Sequence, residues 1–161
     1  MIFIFDDYKL DIDVNRTRRF YETVDSHPGC DCAGCRNFCK AYPLIHDAVQ
    51  GFFRQLGVDI GKPAEMTAYV SRDGNTTLYS GFYHICGSIV KSPKLYTQID
   101  ETHFQLDHNA TIELIPNHFV YFTDNCALIE EGFPTPIIQL ELQTHVPWVL
   151  DEPNPYHYPD V

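Results

Sequence analysis

The sequence lacks any apolar run long enough to cross a bilayer. Its longest such runs, Ile2 to Phe5 and Val146 to Leu150, fall far short of the roughly 20 residues that a membrane-spanning helix needs. The amino-terminal residues also lack the basic region, the long apolar core and the small-residue cleavage site of a secretory signal. We therefore expect a cytoplasmic protein with no membrane partner.

Basic residues are scarce. The chain has 11 Lys and Arg against 22 Asp and Glu, which gives a formal net charge of −11. Such a charge repels phosphate backbones, so nucleic acid is not an expected partner. Two interpretations remain: the acidic surface binds a basic protein, or it only keeps the protein soluble.

The common catalytic motifs are missing as well. We find no phosphate-binding glycine loop, nucleophile elbow, H-E-x-x-H motif or dinucleotide-binding fingerprint. Glu130 and Glu131 form a carboxylate pair, but neighbouring residues in a turn usually face water, and neighbours in a strand point to opposite faces. The sequence therefore predicts no catalytic residue.

The length and the hydrophobic content of the chain fit one folded domain. The chain has 161 residues, of which 44% are hydrophobic, and this is enough to bury a core without disulfide bonds. We predict a single α+β domain over residues 1–150. Residues 151–161 contain three prolines and no apolar periodicity, which predicts a tail that is extended on the surface or disordered.

Most of the chain has the period-two pattern of antiparallel strands. We predict an N-terminal hairpin with its bend at Asp6 and Asp7, an extended segment over 20–24 and a hairpin joining 64–70 to 77–85. Further strands are expected at 103–106, 111–115, 118–122, 127–129 and 136–142, arranged as a meander or a partly open barrel. One main amphipathic helix is predicted near residues 43–56, from Pro43 in its first turn to Gly57 as its C-terminal cap.

The sharpest feature is a segment in which four cysteines and a histidine crowd together. Its candidate metal ligands are Cys30, Cys32 and Cys35, with a fourth from Cys39, from His27 or from a distant histidine. Thiolates so close repel one another unless a cation neutralises them, and Zn²⁺ prefers four nitrogen or sulfur ligands. Zinc is therefore the predicted cofactor, held in a knuckle ahead of the helix.

The same cysteines allow other interpretations. The spacing partly matches a ferredoxin ligand series, but Lys40 stands where that series has a proline. Cys30 and Cys32 precede a helix expected to start near Gly34, where a helix N-terminus favours a reactive thiolate. Reduced thiols packed at a helix entrance are a further alternative, and His84 with Cys86, on one face of a strand, could add to a metal site in space.

Residues 28–90 resemble a group of small uncharacterised bacterial proteins. The resemblance rests on Gly29-Cys-x-Cys-x₂-Cys-Arg-Asn-Phe38, on Leu56 to Asp59, on Lys62 to Glu65 and on Gly81 to His84. It implies that the cysteine segment is a deliberate feature, and it implies no activity. Cys39 lies outside the resembling trio.

These observations lead to two hypotheses of different classes. In the first, the chain is a non-enzymatic binding or regulatory domain with a structural zinc knuckle and an acidic protein-binding surface, for example a bacterial immunity or inhibitor protein with a basic target. In the second, it is a thiol-dependent or metal-dependent enzyme that uses Cys30, Cys32 and Cys35. The sequence leaves the oligomeric state open.

Overall fold

The structure is a computed structural model that describes residues 1–25, 29–72 and 75–158. In chain order its elements are β1 (Ile2–Phe5), β2 (Tyr8–Ile12), α1 (Val14–Thr23), α2 (Ala33–Ala41), α3 (Asp47–Gln55), β3 (Glu65–Tyr69), β4 (Thr76–Lys91), β5 (Tyr96–Gln98), β6 (Phe104–Leu106), β7 (Ile112–Ile115), β8 (His118–Thr123) and β9 (Ile137–Pro147). Short 3₁₀ turns span Tyr42–Leu44 and His108–Ala110.

The strand β4 organises a seven-stranded antiparallel sheet. Along one edge it pairs with β9 from Thr76 to Cys86. Along its other edge the first half of β4 pairs with β3 and the second half with β2. The outer strands complete the order β1-β2-β4-β9-β8-β7, and the sheet is not closed. The predicted α+β class is confirmed. The predicted arrangement is a meander or a partly open barrel, and the structure has an open sheet that contains the β7-β8-β9 meander.

The helix α1 covers the gap that opens where β4 changes partner. Between the segments paired with β3 and β2, the Tyr21 hydroxyl donates to the His84 carbonyl at 2.9 Å and accepts the His84 N–H at 3.1 Å. One step along, the Thr17 hydroxyl oxygen accepts the Cys86 N–H at 3.0 Å. These bonds satisfy backbone groups that no strand reaches, which is why side chains of α1 are buried here.

The predicted extended segment over 20–24 is wrong, because residues 14–23 form α1. The Asp13 carboxylate accepts the Arg16 N–H at 3.0 Å and so caps the helix N-terminus. Only Thr17 and Tyr21 are fully buried in α1. Two buried residues four apart are one helical turn, a signal too sparse to stand out among the surrounding polar residues.

The predicted main helix is confirmed in type but is shorter than expected. Its first part is the 3₁₀ turn containing Pro43, the chain extends at Ile45, and α3 then begins after His46, whose Nδ1 accepts the Ala48 N–H at 3.1 Å. Gly57 has a positive φ of 80°, as a left-handed C-terminal cap requires. None of the described helices has both the length and the apolar character needed to cross a membrane.

Aromatic side chains join the helices to one face of the sheet. Phe53 of α3 meets Tyr83 of β4 edge to face at 4.9 Å between ring centroids, and Phe38 of α2 lies 5.4 Å from Tyr79. All four rings are fully buried. The helical layer on this face therefore places the N-terminus of α2 over the edge of the sheet.

The other predicted strands, apart from the one over 127–129, agree with the structure except in extent. The N-terminal hairpin and the β3-β4 hairpin are both present, although Asp73 and Gly74 of the second turn lie outside the described residues. Residues 127–129 do not form the predicted strand, because Leu128 adopts a positive φ of 49°, which an extended strand cannot contain. The last strand continues past Leu142 to Pro147.

The chain after β9 returns along the molecule toward the cysteine segment. Asn154 donates from Nδ2 to the Thr77 hydroxyl oxygen at 2.9 Å. The Ser71 N–H donates to the Tyr156 carbonyl at 2.8 Å, and the Tyr158 N–H donates to the Ser71 carbonyl at 3.1 Å. The described part of the predicted tail, residues 151–158, is thus attached to the domain by hydrogen bonds.

We predict that Gly57→Ala destabilises the protein more than Gly132→Ala. Both glycines have a φ near 80°, so an alanine at either position lowers the free energy of unfolding by about 1 kcal/mol through the left-handed backbone alone. A Cβ at Gly57 would also lie 2.5 Å from the Val14 carbonyl oxygen, whereas a Cβ at Gly132 would meet nothing within 4 Å. Urea unfolding of both variants measures the difference, and equal losses would contradict the close approach of α1 to this turn.

Candidate metal centre

The cysteine segment ends in the capped N-terminus of α2. Cys32 is the N-cap residue in an extended conformation, and its Sγ accepts the Cys35 N–H at 3.5 Å. The Sγ of Cys30 in turn accepts the Cys32 N–H at 3.4 Å. The helix predicted to start near Gly34 is therefore present, and its first turn directs the sulfurs of Cys30 and Cys32 back toward Cys35.

Three of the predicted ligands form one cluster. The Sγ atoms of Cys30, Cys32 and Cys35 all lie within 4.8 Å of one another. Tetrahedral coordination with metal–sulfur bonds of about 2.3 Å places ligand sulfurs about 3.8 Å apart, so small rotations of these side chains suffice to bind an ion. The three cysteines are thus close enough to hold a metal ion.

The cluster lies at the surface with one sulfur inside. Cys30 and Cys32 are exposed, whereas Cys35 is buried and its thiol points toward the Met66 carbonyl oxygen at 3.9 Å. A fourth coordination position would therefore be on the solvent side. It is accessible to water or to a further side chain from a neighbouring segment.

Glycine allows three segments to meet at this point. A Cβ on Gly34 would lie 2.8 Å from the Cβ of Ala68 on β3 and 2.9 Å from the hydroxyl oxygen of Tyr156. Any larger residue would push α2 away from both. Gly34 therefore brings the helix N-terminus, the sheet edge and the C-terminal segment into contact.

The environments of Cys32 and Cys35 shift their pKa values in opposite directions. The Cys35 N–H stabilises the Cys32 thiolate and lowers the pKa of Cys32 to about 7. Burial raises the pKa of Cys35 to about 12, and its hydrogen bond to Cys32 adds to the rise. The pair therefore consists of an exposed thiol that ionises readily and a buried thiol that keeps its proton until a cation replaces it.

Tyr156 belongs to the site although sequence reasoning missed it. Its hydroxyl is hydrogen-bonded to the Cys32 sulfur, which contributes to the lowered pKa of Cys32. The ring of Trp148 lies 6.2 Å from the ring of Tyr156 and supports it. No pattern in the sequence could have revealed the contact, because Cys32 and Tyr156 are far apart in the chain.

A second link to the C-terminal segment comes from Arg36 of α2. Its guanidinium donates to the Asp31 carbonyl at 2.6 Å and to the Glu152 carboxylate at 2.5 Å. The Glu152 carbonyl in turn accepts the Trp148 indole N–H at 2.8 Å. The residues around the cysteines are thus connected to both α2 and the chain end.

The other described ligand candidates, Cys39, His84 and Cys86, are not part of the three-sulfur cluster. Cys39 is half-buried one turn further along α2, and its Sγ is not part of the three-sulfur cluster. His27 lies outside the described residues. His84 and Cys86 are buried against the loop before β9, where His84 Nε2 pairs with the Ala127 carbonyl at 2.9 Å. Of these, Cys39 and His27 stay predictions for the fourth ligand.

The fold and the site together define an open-sheet α+β domain with a three-cysteine cluster at a helix N-terminus. No family model, curated protein or solved structure matches the chain. The resemblance of residues 28–90 to small bacterial proteins stays a prediction.

In the metal-free protein we expect Cys32 to react with iodoacetamide at a rate that is half-maximal near pH 7, because its pKa is about 7. Cys35 is buried and has a raised pKa, so it should stay unmodified over the same range. Mass spectrometry of the quenched protein locates the modified residue at each pH.

The Tyr156→Phe variant should shift the Cys32 midpoint to higher pH, because it removes a hydrogen bond to the thiolate. Tyr158→Phe is the matched control, since that side chain is exposed. An unchanged midpoint in Tyr156→Phe would show that the tail does not contact Cys32.

Proposed function

We propose that this protein is a metal-binding regulatory domain in which Cys30, Cys32 and Cys35 hold a structural zinc ion. The observation that carries the proposal is the mutual proximity of their Sγ atoms, all within 4.8 Å. Three sulfur donors favour zinc over harder cations such as Mg²⁺ or Ca²⁺. A fourth ligand from Cys39 or His27 would close the site and give it a purely structural role.

The neighbourhood of the cluster suits a structural ion. An ion bound there would join the start of α2 to the segment at Cys30, and through Tyr156 and Arg36 it would also stabilise the C-terminal segment. Without an ion, these connections include the exposed Arg36–Glu152 ion pair and the exposed or partly buried hydrogen bonds to the sulfurs of Cys30 and Cys32. Because metal binding in such sites contributes directly to folding free energy, the ion would act mainly by holding these segments in place.

The acidic surface supplies the binding function in this proposal. A net charge of −11 favours a basic protein partner and speeds its association at low salt. An inhibitor or immunity protein in the bacterial cytoplasm, where thiols stay reduced, fits this charge and the cysteine content. On this proposal the domain acts through protein contacts rather than through a reaction.

Metal analysis tests the proposal. Protein purified without chelator should contain one zinc per chain, and removal by a chelator should lower its melting temperature. Cys32→Ser should lose the metal and show the same lowered melting temperature without chelator. Cys126→Ser is the matched control, because that half-buried thiol lies next to β9 and is outside the cluster.

Two results would overturn the zinc proposal. The first is wild-type protein that binds no zinc even when refolded with an excess of it. The second is a Cys32→Ser variant with full metal content and an unchanged melting temperature, which would remove Cys32 from the ligand set.

A second candidate function rests on the arrangement of Cys32 and Cys35. They form a C-x₂-C pair at a helix N-terminus, with the first sulfur exposed and the second buried. In a thiol–disulfide exchange, the Cys32 thiolate attacks a disulfide of the substrate, forms a mixed disulfide with one substrate sulfur and releases the other as a thiolate. Cys35 loses its proton and attacks the Cys32 sulfur of the mixed disulfide, which releases the second substrate sulfur. The substrate leaves as two thiols, and a Cys32–Cys35 disulfide remains.

Redox titration separates the two candidates. For the enzyme we expect metal-free protein that forms a Cys32–Cys35 disulfide in a glutathione buffer and accelerates the reduction of insulin by dithiothreitol. Cys35→Ser should then accumulate a mixed disulfide on Cys32. Zinc-loaded protein that resists oxidation and has no effect on insulin reduction favours the structural site.

A further inference from the structure

The sheet face opposite the helices contains a row of paired side chains with a carboxylate at its centre. The register places Glu65 of β3 beside Phe82 of β4, Phe82 beside Glu141 of β9, and Glu141 beside Tyr121 of β8. Residues at these positions share one face because each is directly paired with the next. Glu141 thus lies in the middle of the sheet between two aromatic residues rather than at a solvated edge.

A chain of two partly buried hydrogen bonds fixes the position of this carboxylate. The Ala127 N–H donates to Oε1 of Gln139 at 2.8 Å, which leaves the Gln139 amide nitrogen to donate to Oε1 of Glu141. The side chain of Gln139 is 4% exposed, so it cannot turn away into water. Glu141 is therefore held by a partner whose orientation is set by the backbone.

This carboxylate has no cationic partner within the described part of the chain. The ion pairs found there involve other acidic residues, namely Asp11, Asp59, Asp100 and Glu152. Burial raises the pKa of Glu141, and the nearby negative charge of Glu65 adds to the rise. A half-buried carboxylate without a counter-charge costs stability, and such a cost is typical of residues kept for binding.

Glu141 opens into a cavity of about 200 Å³. The arm containing β6 and the 3₁₀ turn at His108 covers one side of it, and β8 and β9 form its floor. Its lining includes Ser80, His108, Phe119, Tyr121, Glu141 and Gln143. Since drug-sized ligands occupy about 300–1,000 Å³, this cavity suits a ligand of only a few heavy atoms.

The lining combines one carboxylate with the rings of Phe119 and Tyr121; His108 is its one basic residue, and it contains no Lys or Arg among its described residues. A carboxylate attracts a cation, and aromatic faces stabilise an ammonium group and pack against its carbon chain. The negative charge of Glu141 would repel an anion. A neutral molecule would leave that charge without a counter-charge.

We propose that this cavity binds a small primary alkylammonium ion, whose charge pairs with Glu141 and whose carbon chain lies against Phe119 and Tyr121. The cavity shares no residue with the cysteine cluster. A test of this proposal is therefore independent of the zinc proposal.

The test is an NMR titration of the ¹⁵N-labelled protein with n-butylammonium chloride at constant ionic strength. We expect saturable shifts of the Ser80, Tyr121 and Gln143 amides. The uncharged n-butanol and the anionic butyrate should give none. Glu141→Gln should weaken butylammonium binding at least tenfold, whereas the exposed Glu131→Gln should bind as the wild type does.

A second variant keeps the test informative if Glu141→Gln fails to fold. Ser80→Leu places a larger side chain in the cavity and leaves Glu141 in place, so it should abolish the shifts while the rest of the spectrum stays intact. Absence of saturable shifts in the wild-type protein would overturn the proposal. Equal affinity in Glu141→Gln or in Ser80→Leu, or equal shifts with n-butanol, would overturn it as well.

Discussion

The pairing of β4 with β9 is the constraint on which the rest of the molecule depends. It joins eleven consecutive residue pairs, from Thr76 with Pro147 to Cys86 with Ile137. Because side chains alternate along a strand, this one register decides which residues face the helices and which face the opposite side. Tyr79 and Tyr83 anchor the helical layer on the first face, and Glu141 emerges on the second. Both candidate sites are consequences of that register.

The edge strand β3 explains how the cysteine cluster is positioned. β3 pairs with only the first half of β4, and α1 satisfies the backbone where β3 ends. The start of α2 then lies against β3, with Gly34 in contact with Ala68. Cys35 is buried by this contact while Cys30 and Cys32 stay exposed. The arrangement suits either a surface metal ion or an asymmetric pair of thiols, and the two uses differ in whether a cation replaces the proton of Cys35.

Glu141 and the cysteine cluster illustrate two ways in which a protein holds negative charge. At the cluster, the Cys35 N–H donates to the Cys32 sulfur, and this lowers the pKa of Cys32. At Glu141 the donor is a single buried amide, and burial outweighs it, so the pKa rises. The first environment favours an ion that accepts several sulfur ligands. The second favours one compact charge enclosed by aromatic rings.

The sequence alone determined the α+β class, the N-terminal and β3-β4 hairpins, the α3 helix with its cap at Gly57 and the cysteine segment, because each depends on residues close together in the chain. It did not determine α1, whose buried face has only Thr17 and Tyr21 and is stabilised by distant backbone groups of β4. Only the tertiary structure brought Tyr156 to Cys32 and placed Glu141 between Phe82 and Tyr121. Such contacts depend on which strands pair and in which register, and a local pattern carries no information about either.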